Sequence, residues 1–289
     1  MRRLVTIGGS EAAAACGVDP YTSRRWLYLL KRGEVEPAPA TEAMGWGTRL
    51  EHAVADELTD RGFKLTPADE LRDGFMVGHP DRYVELDGEA GVLDIKCVGL
   101  WQAASVAADE AIPAHVIQLH HYLYLSGRRR GLLAYLVGGQ RLELRTVDYD
   151  ERLAASMIEA ETDFVGMVQR GERPAPNGTD SAGDALLSEF PGVAGRTVRL
   201  TGEALQAVKD ARLWREARDR AGERYKQAAQ VVQDAMGDAT IAVSPGDAVL
   251  AHWTPMSRSA VDTTALKERA PHVAAQYTKT TTTRRFTLA

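Results

Sequence analysis

Two hydrophobic periods divide the chain. Glu51, Val54, Ala55 and Leu58 recur at helical spacing in a stretch that opens at Thr41 or Glu42 and stops at Gly62. Shorter helices are predicted over Glu11–Cys16, with Ser10 as N-cap and Gly17 past the end, and from Ser23 as cap through Leu30 to Gly33. From Phe63 to Cys97 the pattern turns β-rich, and Asp87-Gly88 has the signature of a tight hairpin. A helix is predicted from Pro113, suited to a first helical position, to Leu125. A second strand pair follows, in GLLAYLVGG and RLELRTVDY. Then comes a helix through YDERLAASMIEAETDFVGMVQRG, ended by Gly171.

Past that helix the texture changes. Residues 176–200 are rich in Pro, Gly, Ser and Asp and read as a linker or irregular connection between a main domain over 1–175 and a region over 201–289. In the latter a charge-laced helix is predicted from Gly202 to Met236. A small hairpin, a short capped helix in VDTTALKERAP and a terminal strand in TTTTRRFTLA follow.

The six residues Val92–Cys97 carry the first hint of chemistry. Strand alternation puts Leu93, Ile95 and Cys97 on one face and Val92, Asp94 and Lys96 on the other. Asp94 and Lys96 then point the same way, with Cα atoms about 7 Å apart. A carboxylate beside an ammonium suits a divalent cation with an amine next to it to orient water or meet a phosphate. Asp81, upstream in the same β-ribbon, is placed to add a second carboxylate. The plain alternative is a surface ion pair. Glu51 lies on the apolar stripe of its helix, where an acid needs a partner. Two cysteines, Cys16 and Cys97, are too few for a structural zinc or an iron–sulfur cluster, and their apolar contexts suit free buried thiols in a reducing cytosol. No apolar run reaches membrane-spanning length. The net charge of −5 argues against a protein that coats nucleic acid but allows a local basic channel.

Five pieces in order, IGGSEAAAACGVDPYTSRRWLY, MGWGTRLE, GHPDRYVE, GVLDIKC and IPAHVIQLHHYLYLSG, resemble the YqaJ-like viral recombinase family, that of the phage lambda exonuclease, within the PD-(D/E)xK nuclease superfamily. The resemblance implies an α/β (α+β) fold: a restriction-endonuclease-like central mixed sheet flanked by helices, with a small C-terminal helix-plus-sheet appendage. It implies a metal-dependent 5′-to-3′ double-strand DNA exonuclease that leaves 3′ overhangs for phage-type recombination. A structure-specific endonuclease of the same superfamily and a non-catalytic DNA-end-binding factor are the alternatives. By the same resemblance Asp81, Asp94 and the Ile95 carbonyl hold two Mg²⁺ ions, for which Mn²⁺ can substitute, and Glu51 approaches them directly or through water. Lys96 activates the water, and Gln118 touches the nucleophile or the lysine. Arg3 and Ser10 receive the 5′-phosphate, a role that a helix N-terminus at Ser10 would favour. The implied partners are DNA ends, a single-strand annealing protein and further copies of the chain, in a trimeric ring.

His79 and Arg82 depart from the family pattern around Asp81 and are candidates for contacts to the scissile phosphate or the displaced strand. Arg24, Arg25 and the run Arg128–Arg130 are candidates for phosphate contacts, and Trp101 for stacking on a base. His115, His120 and His121 read as core or rim residues of one helix.

Overall fold

The computed structural model describes residues 5–102, 106, 111–193, 195–279 and 283–288, with the Trp101 side chain excluded. The chain divides into two compact units, Met1–Phe190 and Pro191–Ala289.

The first unit is built on a five-stranded sheet in the order β2 (Leu65–Pro67), β5 (Arg82–Leu86), β6 (Glu89–Val98), β7 (Arg130–Val137), β8 (Arg141–Asp148). Only β6 and β7 are parallel; the other neighbours are antiparallel, so the sheet is mixed. Asp87 and Gly88, at φ 52° and 85°, make the tight turn that sets the β5–β6 register. The parallel pair requires a crossover, supplied by helix α4 (Pro113–Ser126), with proline in its first turn and Gly127 in αL after its end. A smaller sheet joins β1 (Ile7–Gly8), β4 (Met76–Gly78) and β3 (Leu71–Asp73).

Strand alternation decides what covers each face. Leu93 and Ile95 of β6 pack with Val54, Ala55 and Leu58 of helix α3 (Glu42–Asp60). Val92 packs with Leu119, Tyr122 and Leu123 of α4. A third cluster joins α1 (Gly9–Ala15), α2 (Arg24–Arg32), α5 (Glu151–Arg170) and α6 (Asp180–Glu189) through Ala14, Leu27, Phe164 and Ala185. The caps at Ser23 and Thr41 accept backbone N–H groups as expected, and Asp150 does the same for α5, each worth about 1 kcal/mol.

Several expectations need correction. Residues 176–200 are not all linker: Asp180–Glu189 is a helix capped by Thr179, and its buried Ala182 and Ala185 fasten it to the first unit. Its small apolar positions sit within a Gly/Ser/Asp-rich stretch, which hid the period. Ser10 is not an N-cap. The cap of α1 is Gly8, whose N–H donates to the Glu11 carboxylate at 2.9 Å. Cys97 is exposed rather than buried, because the apolar cover of its strand face ends at Ile95.

The second unit holds α7 (Gly202–Met236), a hairpin of β9 (Ile241–Val243) and β10 (Val249–His252), and two short helices, α8 (Thr263–Arg269) and α9 (Pro271–Gln276). The long helix extends about 52 Å, and none of its residues is buried. Residues rich in helix propensity carry it, with local support such as Gln206 donating to Asp210 at 2.9 Å. The predicted terminal strand is absent among the described residues: 283–288 are irregular. No helix among the described residues is long and apolar enough to cross a membrane.

Candidate active site

The site lies where β6 passes between α3 and α4. On the α4 side, Asp94 is 1% exposed. Lys96 Nζ stands 2.9 Å from its Oδ2 and 3.1 Å from its Oδ1, and only the Oδ1 contact has hydrogen-bond geometry. Asp94 Oδ2 is thus fully buried with no hydrogen-bond donor. The lysine also donates to Gln118 Oε1 at 3.0 Å. On the other side of the amide, Gln118 Nε2 donates to Tyr122 Oη at 3.0 Å and reaches Asp94 Oδ1 at 3.5 Å. Asp81, just before β5, accepts the Ile95 N–H through Oδ2 at 2.6 Å, which ties it to the same strand. Glu51, half-buried on α3, approaches Arg82 Nη1 at 3.4 Å, while Arg82 Nη2 meets His52 Nδ1 at 3.0 Å.

Electrostatics binds these groups together. Burial and the neighbouring Asp94 charge, with Glu51 behind them, push the Asp81 carboxyl up to about 7, against the pull of the Ile95 N–H and Lys96. Burial likewise raises Asp94, while Lys96 opposes and Glu51 adds to the rise. Three acids crowd one region with fewer cations than their charge requires. Among the described residues no three acid, histidine or cysteine side chains are already gathered around one point as a finished metal site. The residues nonetheless suit a hard divalent cation: one buried carboxylate oxygen has no donor, a second carboxylate is held above its usual range by burial and by its like-charged neighbours, and strand carbonyls are at hand.

Two further residues of α4 belong to this arrangement though the sequence did not assign them to it. Tyr122 anchors Gln118 from one turn further along α4, and its signal was the i, i+4 relation to Gln118. Its ring fits because of two glycines: a Cβ on Gly9 would stand 2.2 Å from a ring carbon, and one on Gly78 would come within 3.0 Å of the ring. His115, one turn before Gln118, contacts Tyr135 Oη at 3.3 Å, and burial together with nearby Lys96 holds it down to about 4. It lines a cavity of about 420 Å³ with Ser10, Tyr21, Gln102 and Gln118.

The remaining candidates divide. Ser10 is exposed on that cavity's wall, but the helix N-terminus expected to attract an anion there already holds the Glu11 carboxylate, itself paired with Lys31 at 2.6 Å. Arg82 belongs to the site. His79 is exposed beside it and pairs with Glu70 at 3.2 Å. Arg24 and Arg25 are not free for phosphates. Arg24 meets Asp163 at 2.8 Å and lies over Phe164, and the buried Arg25 pairs with Glu189 at 2.5 Å and donates to the Pro174 carbonyl. Both clamp α2 to the elements after it. Arg128 stacks on Tyr83, Arg129 pairs with Glu151, and Arg130, the first residue of β7, pairs with Asp87 and Asp148. His120 and His121 are buried, as core residues. Arg3 and the Trp101 side chain lie outside the described residues.

Residues 1–129 match the family model of the YqaJ-like viral recombinase domain. That YqaJ-like region contains all five of the sequence pieces and every side chain of the Glu51–Asp81–Asp94–Lys96–Gln118 set. The whole chain is similar to the uncharacterized protein YqaJ of Bacillus subtilis (strain 168), 26% identical over 296 residues, covering 99% of this chain and 92% of that one. Among solved structures, an alkaline exonuclease from Laribacter hongkongensis aligns at 18% identity and a TM-score of 0.49, covering 59% of this chain and 91% of that one. A phage-related exonuclease from Haemophilus somnus 129PT aligns at 13% identity and a TM-score of 0.44, covering 58% and 97%.

Proposed function

We propose that the chain is a metal-dependent DNA exonuclease that degrades the 5′-ended strand of duplex DNA and leaves 3′ overhangs for recombination. The observation that carries this reading is the partly buried Asp94–Lys96–Gln118 cluster on one strand and its crossover helix, with Asp81 hydrogen-bonded into the same strand. The YqaJ-like match and the names of the exonucleases above support it.

Asp81 and Asp94 would hold Mg²⁺, or Mn²⁺ in its place, with the Ile95 carbonyl and Glu51 as further oxygen donors. The ion would supply Lewis acidity toward the phosphate and a water of lowered pKa. The chain's own residues do the positioning. Gln118, fixed by Tyr122, fixes the Lys96 ammonium, which orients the attacking water or meets the charge growing on the phosphate oxygens. The cavity beside Gln118 and His115 receives the terminal nucleotide, with Ser10 on its wall toward the 5′-phosphate. Arg82, beside Glu51, faces the backbone of the scissile strand, with His79 next to it. A single-strand annealing protein would take up the overhang in the host cytoplasm. A ring of several copies would keep an acidic chain on its substrate.

Digestion of an end-labelled linear duplex tests the reading, with Mg²⁺ and with EDTA, on 5′-phosphate and 5′-hydroxyl ends. Mononucleotides released from the 5′ end only with Mg²⁺, and an untouched closed circle, are expected. Cleavage of the circle identifies an endonuclease instead, and no cleavage of any duplex leaves an end-binding factor.

A further inference from the structure

The second unit presents a feature that the hydrolytic site does not use. Ala211, Trp214, Arg215 and Arg218 recur at i, i+3, i+4 and i+7, so they share one face of α7. The C-terminal segment Arg285–Leu288 lies along that face, held in part by Arg215 Nη1 donating to the Leu288 carbonyl at 3.3 Å. Between them runs a groove of about 670 Å³. Three guanidinium groups line it, those of Arg215, Arg218 and Arg285, and no acidic residue among the described residues does. Asp219, just outside, pairs with Arg218 at 2.8 Å; Arg285 has no ion pair among the described residues. Trp214 is 71% exposed and Phe286 82% exposed, so two large aromatic faces stand open beside the cations.

We propose that this groove binds single-stranded nucleic acid. Flat aromatic faces stack on bases of any identity, and guanidinium groups take phosphate oxygens in pairs. A duplex keeps its base faces stacked on one another and cannot offer them to Trp214 and Phe286, so the single strand is the matching form. Here aromatic and cationic groups share one concave surface. A chain of net charge −5 that concentrates cations at one groove directs polyanions to that groove. The site goes beyond the nuclease reading and does not depend on it.

The test uses the full-length protein in EDTA, which removes hydrolysis, and a fluorescently labelled oligothymidylate of about 12 nucleotides, followed by anisotropy. Arg215→Glu/Arg285→Glu is expected to weaken binding by about tenfold or more, and Trp214→Ala by about fivefold or more, while Trp214→Phe stays within about twofold of wild type. Unchanged far-UV circular dichroism accompanies these changes, since every substituted side chain is exposed. Binding by the charge-reversal and alanine variants at wild-type strength overturns the proposal. So does displacement of the oligonucleotide by blunt duplex as readily as by unlabelled single strand. Equal displacement by polyglutamate overturns it in favour of an acidic protein partner. A chain that digests no duplex yet binds oligothymidylate through Arg215 and Arg285 keeps this site and loses the nuclease reading.

Discussion

Helix α4 touches two acid–base pairs one turn apart, and they behave differently. His121, toward the helix end, is sealed: its Nδ1 meets Glu161 Oε1 at 3.0 Å, its Nε2 meets the Val77 carbonyl at 3.1 Å, and neither partner's side chain has any exposure. Gln118, one turn earlier, reaches Lys96 and through it Asp94, in a cluster that keeps contact with a cavity. Each contact leaves one buried carboxylate oxygen without a hydrogen-bond donor, Oε2 of Glu161 and Oδ2 of Asp94. A lone unsatisfied oxygen therefore does not separate a structural pair from a reactive one. What separates them is the charge balance. Glu161 faces a single base, whereas Asp81, Asp94 and Glu51 share Lys96 and Arg82, leaving an excess of negative charge beside an opening. The sealed pair holds β4, α4 and α5 together; the crowded cluster stores repulsion that a cation can relieve.

The sharpest way to break this contrast is at the crowded cluster. Lys96→Ala, Asp94→Ala and Asp81→Ala should each lower duplex digestion by roughly a thousandfold or more while the protein stays folded. Digestion rates near wild type in any of the three would remove that residue from the chemistry. At the sealed pair the expectation inverts. Glu161→Ala should destabilise the fold by about 3–5 kcal/mol, because it strands His121 in the core. Urea unfolding measures this, and a small change in midpoint would show the pair to be dispensable. Activity per folded molecule should change little.

A third expectation concerns acid. The folded-state value of His115, about 4, lies below its ordinary 6.5. Between those values the unfolded chain binds the proton and the folded chain does not, so stability is present above about 6.5 and is lost as pH falls toward about 4. The loss should be on the order of 2 kcal/mol, and His115→Gln should flatten that part of the stability–pH curve. An identical slope in the variant would mean that other groups carry it. The smallest effect tests the stored repulsion. Without divalent metal, Asp81→Asn should raise stability by about 1 kcal/mol, since the amide still accepts the Ile95 N–H and removes one of the crowded charges. A lower melting temperature in EDTA would show that the cluster is not strained in that way.

Much of the fold was legible in the chain. Gly33 and Gly171 stand just past helix ends, in αL, as their positions suggested, and the Asp87-Gly88 turn set the hairpin register. The site was legible in outline, because alternation alone puts Asp94 and Lys96 on one face. Ser10 misled because Gly8, with no side chain to cap, is capped instead by Glu11 reaching back. Arg24 and Arg25 misled because an exposed cation and a buried one look alike in sequence, and their partners lie far along the chain.

The sequence by itself determined the periods, stops and turns, and with them which residues share a strand or helix face, because these follow from backbone geometry within a few residues. Tertiary structure decided the rest: that Gln118 meets Lys96, that Glu161 closes on His121, and that Gly9 and Gly78 leave room for Tyr122. Those contacts join residues from 22 positions apart, for Lys96 and Gln118, upward, and no local rule reaches that far. Packing of whole elements selects them, and it does so by the space each side chain fills and the charge each neighbour can answer.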